Sequence, residues 1–346
     1  MSPETGNGST AGSSASELVR PERSRVAVIG AAGFFGRALL ERLVGSERCE
    51  LILAIDHRAP HIHDEKILYR AVDLTRPSAG SELLIHLQNH AIDTVVHLAL
   101  LSSPSHHSAW AHEVEAIGTV HVLNACAEHR VRKFVLLSST LVYGPHSKNP
   151  NYLSEDAPLR GLQGSRYVGD RIENERQLQR FKQEHPDTVC TSLRFAPVVG
   201  PTVRNWITRY LTFPTPLTVL GFDPLIQLVH ETDVTDALAL AVHRDHDGAF
   251  NLSGDGVLPL SAALKACGRV GMPLPGPLAR GWVRTLWLAQ LVSTPPTFVN
   301  LLKYVCVADG RRAREEMGFR PRYSTRDALI AFAGGRKLGD LVRAES

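Results

Sequence analysis

The sequence predicts an α/β protein built on a doubly wound parallel sheet, and three observations carry that expectation. The first is the apolar, β-branched run Val26 to Ile29, which breaks into Gly30, Gly33 and Gly36 and passes into a helical pattern with Phe35, Leu39, Leu40 and Leu43 on one face. The second is another apolar run, Glu50 to Ile55, which ends in Asp56 twenty residues after Gly36. The third is alternation: further apolar runs at 93–99, 134–137 and 188–194 are separated by longer stretches of helical period, the pattern of strands joined by crossover helices.

The glycine turn has a physical purpose at each position. Gly30 permits the sharp turn, Gly33 lets the backbone approach a pyrophosphate closely, and Gly36 lets helix and strand pack tightly. The helix that opens at Phe34 and Phe35 offers unpaired N–H groups to an anion. A carboxylate at Asp56 is then placed to meet the ribose hydroxyls of an adenine dinucleotide. NAD is the expected cofactor, because that carboxylate repels the 2′-phosphate of NADP; Arg58 is the residue through which NADP remains the alternative. The segment from Asp56 to Glu65 holds three histidines and three acids. Pro60 speaks against a helix that would bring His57 and His61 onto one face, so the segment reads as a polar loop and no metal site is expected.

Whole-chain properties bound the rest. At 346 residues the chain is long enough for one large core plus a smaller lobe. A net charge of +3 is too small for this length to argue for nucleic acid or an anionic membrane, so a small-molecule substrate is the expected partner. Five scattered cysteines with no C-x-x-C pair speak against a disulfide framework or a zinc site and fit a reduced, cytoplasmic setting. Residues 1–24, rich in Ser, Gly, Thr and Glu, are expected to be a disordered tail rather than a secretory signal. The apolar stretch 279–304 is interrupted by Arg284 and Pro295-Pro296, which speaks against a transmembrane helix and for helices capping a pocket.

Later segments carry a family resemblance. The spacing G-x-x-G-x-x-G, the segment Ser138-Ser139-Thr140-Leu141-Val142-Tyr143-Gly144, the helix around Tyr167 and the closing Met317-Gly318-Phe319-Arg320-Pro321 agree in order and spacing with the extended short-chain dehydrogenase/reductases of the NAD-dependent epimerase/dehydratase type. The resemblance spans about residues 25 to 334. It implies a sheet of about seven strands with a small C-terminal lobe over the strand ends: a NAD-binding Rossmann domain over 25–200, a mainly substrate-binding lobe over 201–335, and a C-terminal tail over 336–346. It implies that Asp73 and Leu74 lie beside the adenine, that His97-Leu98-Ala99 lines the central ribose and phosphates, and that Pro197 and Val198 lie near the nicotinamide. Ser139 takes the place of the hydroxyl that holds the substrate oxygen, and Tyr143 is the segment's second, non-catalytic tyrosine. Tyr167 is the expected catalytic acid/base.

Two positions depart from the family's pattern. Arg171 stands four residues after Tyr167, where a lysine is expected, and Glu115 stands three residues before Gly118, where an asparagine is usual. Tyr167 and the cation share one helix face, so Arg171 is expected to anchor the cofactor and to pull the phenol down toward working pH. Its fork geometry makes the exchange from lysine non-conservative. The chain therefore reads as a NAD-dependent epimerase/dehydratase-type oxidoreductase. The expected chemistry is Tyr-mediated proton transfer with hydride transfer at a sugar hydroxyl or carbonyl, most naturally of a nucleotide sugar. The alternatives are a reductase of a sterol- or lipid-like alcohol, motivated by the apolar C-terminal lobe, and a catalytically silent NAD-binding scaffold, motivated by Arg171 and Glu115. Two further expectations remain: Asp233 caps a helix from Val234 to Val242, and the resemblance implies that two long helices, 109–130 and 167–183, are candidates to pair in a homodimer.

Overall fold

The computed structural model describes residues 23–344; the expected N-terminal tail lies outside them apart from its last two residues, and Ser24 already opens the first strand. Seven strands form the central sheet: β1 (Ser24–Ile29), β2 (Cys49–Asp56), β3 (Ile67–Ala71), β4 (Thr94–His97), β5 (Lys133–Ser139), β6 (Val189–Phe195) and β7 (Gly248–Leu252). Their order is β7-β6-β5-β4-β1-β2-β3, and every pairing is parallel. The chain winds outward from β1 through β2 and β3, then returns to β4 and winds the other way. The switch between β1 and β4 leaves a crevice at their carboxyl ends, the doubly wound arrangement expected from the alternating pattern.

Side-chain alternation along β1 divides the core in two. Val26 and Val28 face helix α1 (Phe34–Val44) through Leu39, Leu40 and Leu43. Ala27 and Ile29 face the other layer. There Leu83 and Leu87 of α2 (Ala79–Asn89) pack with Val122 and Ala125 of α3. Helix α3 is a long rod in three parts: Ser108–His112, a π-helical turn Glu113–Ile117, and Gly118–His129. The π turn inserts an extra residue in the repeat, a distortion often found at functional sites. Next comes α4 (Arg166–Glu184), which carries the Tyr167 motif along the sheet.

Beyond residue 200 the chain forms α5 (Trp206–Thr212), α6 (Glu231–His243), α7 (Leu260–Ala266), α8 (Gly276–Leu288) and α9 (Thr325–Ala344). Helix α9 runs through the stretch expected as a C-terminal tail from residue 336. A separate apolar cluster, including Ile207, Leu211, Leu260, Leu264 and Leu329, holds α5, α7 and α9 together.

One boundary differs from expectation. Helix α6 begins at Glu231, and its N-cap is His230, whose Nδ1 accepts from Thr232 N at 3.2 Å. Asp233 is buried and accepts instead from the backbone N–H groups of Arg322 and Tyr323 at 2.9 and 3.2 Å. Asp is the commoner cap, but here its carboxylate satisfies a distant loop, and the preceding histidine takes the cap position.

Candidate active site

A cleft of about 860 Å³ opens at the β1/β4 switch point. Its floor is the glycine turn. Gly30 has φ +85°, and a Cβ there would lie 2.7 Å from Ala99 N; one on Gly36 would lie 2.2 Å from Gly30 O. Both positions exclude side chains because backbone fills the space. Gly33 N-caps α1 without any side-chain cap, so the first-turn N–H groups at Phe34 and Phe35 are presented to the cleft. Asp56, at the end of β2, also lines it. Its Oδ2 accepts from Ala32 N at 3.0 Å, and its Oδ1 lies 2.8 Å from His57 Nδ1. The carboxylate therefore braces the glycine turn as well as facing the cleft, and Arg58 lines the same rim. An uncapped helix N-terminus, a glycine cradle that a Cβ would fill and a carboxylate at the second strand's end fit a dinucleotide.

The other expected lining residues divide unevenly. Asp73, Leu74, Leu98, Ala99, Ser139, Tyr167, Arg171, Pro197 and Val198 all border the cleft. Hydrogen bonds from the Thr75 hydroxyl and N–H hold the Asp73 carboxyl below its ordinary range. His97 is not among the lining residues. It is fully buried, its Nε2 lies 2.9 Å from Thr119 Oγ1 on α3, and burial pushes its pKa down to about 4. Strand alternation explains the difference: His97 shares the face of Val95, which packs under α3.

Ser139 ends β5 and N-caps a short 3₁₀ turn, Thr140–Val142, with its Oγ accepting from Leu141 N at 3.3 Å. Tyr167, half-buried at the start of α4, lines the same cleft. The Arg171 guanidinium lies flat over the Tyr167 ring, 3.8 Å from its centroid, a cation–π contact. Its donors are used within the protein: Nη1 donates to Tyr167 O at 2.7 Å and to Glu115 Oε2 at 3.1 Å, and Nη2 donates to Leu101 O at 2.6 Å. Glu115 Oε1 in turn accepts from Leu101 N at 2.6 Å.

The two departures from the family pattern are thus one unit. Glu115, on the π turn of α3, and Arg171, one turn into α4, form a buried ion pair with side chains 1% and 5% exposed. Together they grip both backbone groups of Leu101 in the loop that walls the cleft. Read separately, the two positions hide this role; the signal in the sequence is that two unusual residues carry opposite charges.

The pair changes the electrostatics at Tyr167. Burial pushes the phenol up to about 12; Arg171 pulls it down, and Glu115 pushes it back. The expected depression toward working pH is absent: burial outweighs the pull of Arg171, and Glu115 adds to the rise. Burial likewise pushes the Glu115 carboxyl up to about 7, against the pull of Arg171 and the Leu101 N–H.

The model of the NAD-dependent epimerase/dehydratase family matches residues 26–253. The chain belongs to that family. An uncharacterized protein of Mycobacterium tuberculosis is 30% identical over 327 residues, covering 92% of this chain and 85% of its own length. The structure of MoeE5 in complex with UDP-glucuronic acid and NAD superposes with a TM-score of 0.70 at 23% identity, covering 91% of this chain and 100% of that one. UDP-glucose 4-epimerase of Thermotoga maritima, with UDP-glucose, gives 0.69 at 18% identity, covering 91% and 99%. At these identities the two structures establish a shared fold.

In this epimerase/dehydratase family member the floor beneath Ser139 is a buried polar network. Glu175 Oε1 accepts from Ser138 Oγ at 2.6 Å, Ser192 Oγ at 2.8 Å and Arg194 Nε at 2.9 Å. Arg194 Nη1 donates to the Tyr143 hydroxyl at 2.9 Å, which donates to Asn251 Oδ1 at 2.6 Å. These contacts tie β5, β6, β7 and α4 together at their carboxyl ends. Tyr143 is fully buried in them, and burial pushes its phenol up to about 12. Its place in the sheet floor agrees with the non-catalytic role that the resemblance implies.

Proposed function

We propose that the protein binds NAD in the switch-point cleft and interconverts a secondary hydroxyl and its carbonyl, as an epimerase or dehydratase does at a sugar. The observation that carries this reading is that Ser139, Tyr167, the glycine turn and Asp56 line one cleft. The first-turn N–H groups of α1 would hold the pyrophosphate and Asp56 the adenosine ribose, while Asp73 and Leu74 border the adenine end and Pro197 and Val198 the nicotinamide end. NAD supplies the hydride acceptor and donor. The chain's own residues manage the proton: Ser139 Oγ orients the reacting oxygen, and the Tyr167 hydroxyl takes or returns its proton. Arg171 keeps the tyrosine ring in place and sets its electrostatics together with Glu115, rather than reaching out to the cofactor as a free cation. That a nucleotide sugar supplies the hydroxyl is supported by the similarity to proteins whose solved structures hold UDP-glucuronic acid or UDP-glucose.

Denaturing the purified protein and identifying released molecules by mass spectrometry tests the cofactor. NAD or NADH is expected; released NADP would overturn the role given to Asp56 and favour Arg58. Tyr167→Phe is expected to abolish turnover, with a loss of at least about a hundredfold, while NAD affinity stays within about twofold. Unchanged turnover would remove Tyr167 from the chemistry, and a parent protein that binds NAD without turning over any alcohol or ketone would favour the silent scaffold.

A further inference from the structure

A second cavity of about 900 Å³ adjoins the cleft. The two share Pro197 and Trp206, and the second begins at Thr140 and Leu141, directly after Ser139. Phe298 in its wall has its ring centroid 6.1 Å from that of Tyr167 and 5.2 Å from that of Trp206. The cavity therefore starts at the reacting groups and extends away from the glycine turn, where the body of a substrate must lie.

Its wall is apolar. Trp206, Ile207, Leu228, Leu260, Val283 and Phe298 are representative, and the described lining residues include one arginine and no lysine, aspartate or glutamate. Several of its polar groups already have partners. Arg209 Nη1 donates to Ser293 Oγ at 2.6 Å, and His106 Nε2 lies 2.9 Å from Val292 O with its ring stacked on Trp287. The Tyr210 hydroxyl donates to Leu217 O at 2.7 Å, and Gln227 bonds both backbone groups of Ala308. A diphosphate placed here would exchange water for an apolar wall that offers one cation, Arg209, which is costly. The rim repeats the pattern: Phe213, Leu225, Trp282 and Leu291 line the cavity and are also exposed, and an apolar rim of this kind marks a ligand groove.

We propose that this cavity receives the body of the substrate and that the substrate is a bulky apolar secondary alcohol or its ketone, with only its reacting oxygen polar. The proposal rests on the NAD binding and hydroxyl–carbonyl chemistry proposed above and departs from that reading in the substrate class, setting an apolar alcohol against the nucleotide sugar that likeness to other proteins supports. A volume near 900 Å³ suits one drug-sized apolar molecule held by burial, oriented by the single polar end at Ser139 and Tyr167.

The test is a binding titration on the full-length protein, read by intrinsic fluorescence of Trp206 and Trp282, with cyclododecanol and cholesterol as apolar probes and UDP-glucose as the nucleotide-sugar probe. A saturable change with an apolar probe, and none with UDP-glucose, is expected. Leu286→Arg, at a half-buried wall position, is expected to weaken the apolar probe by about tenfold or more while NAD affinity is unchanged. Trp282→Gln, at an exposed rim position that does not threaten folding, is expected to weaken it severalfold, read through Trp206. Saturable binding of UDP-glucose without binding of either apolar probe overturns the proposal, as does apolar binding that both variants leave unaltered. NAD affinity, measured in the same samples, separates the two claims: loss of apolar binding with NAD bound defeats the substrate class alone, and a failure to bind NAD defeats the oxidoreductase reading.

Discussion

Replacing Glu115 by glutamine removes a charge and little volume, and it should lower the pKa of Tyr167. The Arg171 guanidinium carbon lies 3.8 Å from the phenol ring centroid. Two unit charges at about 4 Å interact by roughly 4 kcal/mol at an effective dielectric of 20, a ceiling of about 3 pK units on what the arginine alone can do. Glu115, 3.1 Å from the same guanidinium, opposes it. Above about 7 the carboxyl is ionised, so this opposition is in force where the phenol titrates. Releasing a third of the ceiling moves the phenol down by about one unit from its value near 12. In the wild-type protein the rate of alcohol oxidation should rise with pH as the tyrosinate forms; in Glu115→Gln that limb should shift down by about one unit, making the variant about tenfold faster at any pH below it. The assays are the pH–rate profile and the ultraviolet difference titration of tyrosinate, with Tyr167→Phe as the blank. The same substitution leaves a buried arginine short of its counter-charge and should cost about 3 kcal/mol in urea unfolding, taken at the low end because Arg171 keeps two carbonyl partners. A tyrosinate limb that stays in place or moves up would falsify the shared-cation account of Tyr167.

Three further outcomes follow from the geometry. Gly36→Ala puts a Cβ 2.2 Å from Gly30 O and 2.7 Å from Ala31 O, both backbone, so urea unfolding should lose about 3 kcal/mol and copurifying NAD should vanish; wild-type stability would contradict the close packing of α1. His97, with a folded pKa near 4 against an ordinary 6.5, is uncharged in its buried site, so its contribution to stability is complete above 6.5 and is lost as pH falls toward 4. The loss amounts to about 3 kcal/mol and should be absent in His97→Gln, which checks that this residue is its source. Glu115→Asn and Arg171→Lys together restore the family's pair, so the double variant should lose less stability than the sum of the two single losses; a double-mutant cycle is expected to give a coupling of about 1 to 3 kcal/mol, and additivity would mean that the two residues are independent.

The fold was legible because its determinants are local. A β-branched run, three glycines and a helical stripe impose backbone geometry wherever they occur, and the structure places β1, the turn and α1 as those residues require. Boundaries shifted by a residue or two, as with β6, expected over 188–194 and formed by Val189–Phe195. His97 was misplaced for a reason that strand alternation contains: one residue after Val96 in a four-residue strand, it faces α3 and Thr119, not the cleft. The His230 cap was hidden because Asp233 answers a loop some ninety residues away, at Arg322 and Tyr323, and no local pattern announces that demand.

What the sequence could not reveal residue by residue is why Arg171 and Glu115 occur together. Lysine in a buried position can shed its proton, but arginine cannot, so a guanidinium in the Tyr167 helix carries a permanent charge into a site where it is 5% exposed. A neutral asparagine on α3 offers that charge a dipole; a glutamate offers a full counter-charge, and its second oxygen remains for Leu101 N. Once the carboxylate is there, the arginine no longer acts as a free cation toward a cofactor, and its fork turns inward to Leu101 O and Tyr167 O. The exchange therefore moves positive charge from the cleft into its wall. What then recommends the site for an apolar alcohol is consistent with this: the cavity that opens beside Tyr167 contains one arginine, bonded to Ser293, and no other charged side chain among its described lining residues. A substrate whose only polar atom is the reacting oxygen has no need of cations that the chain has turned away.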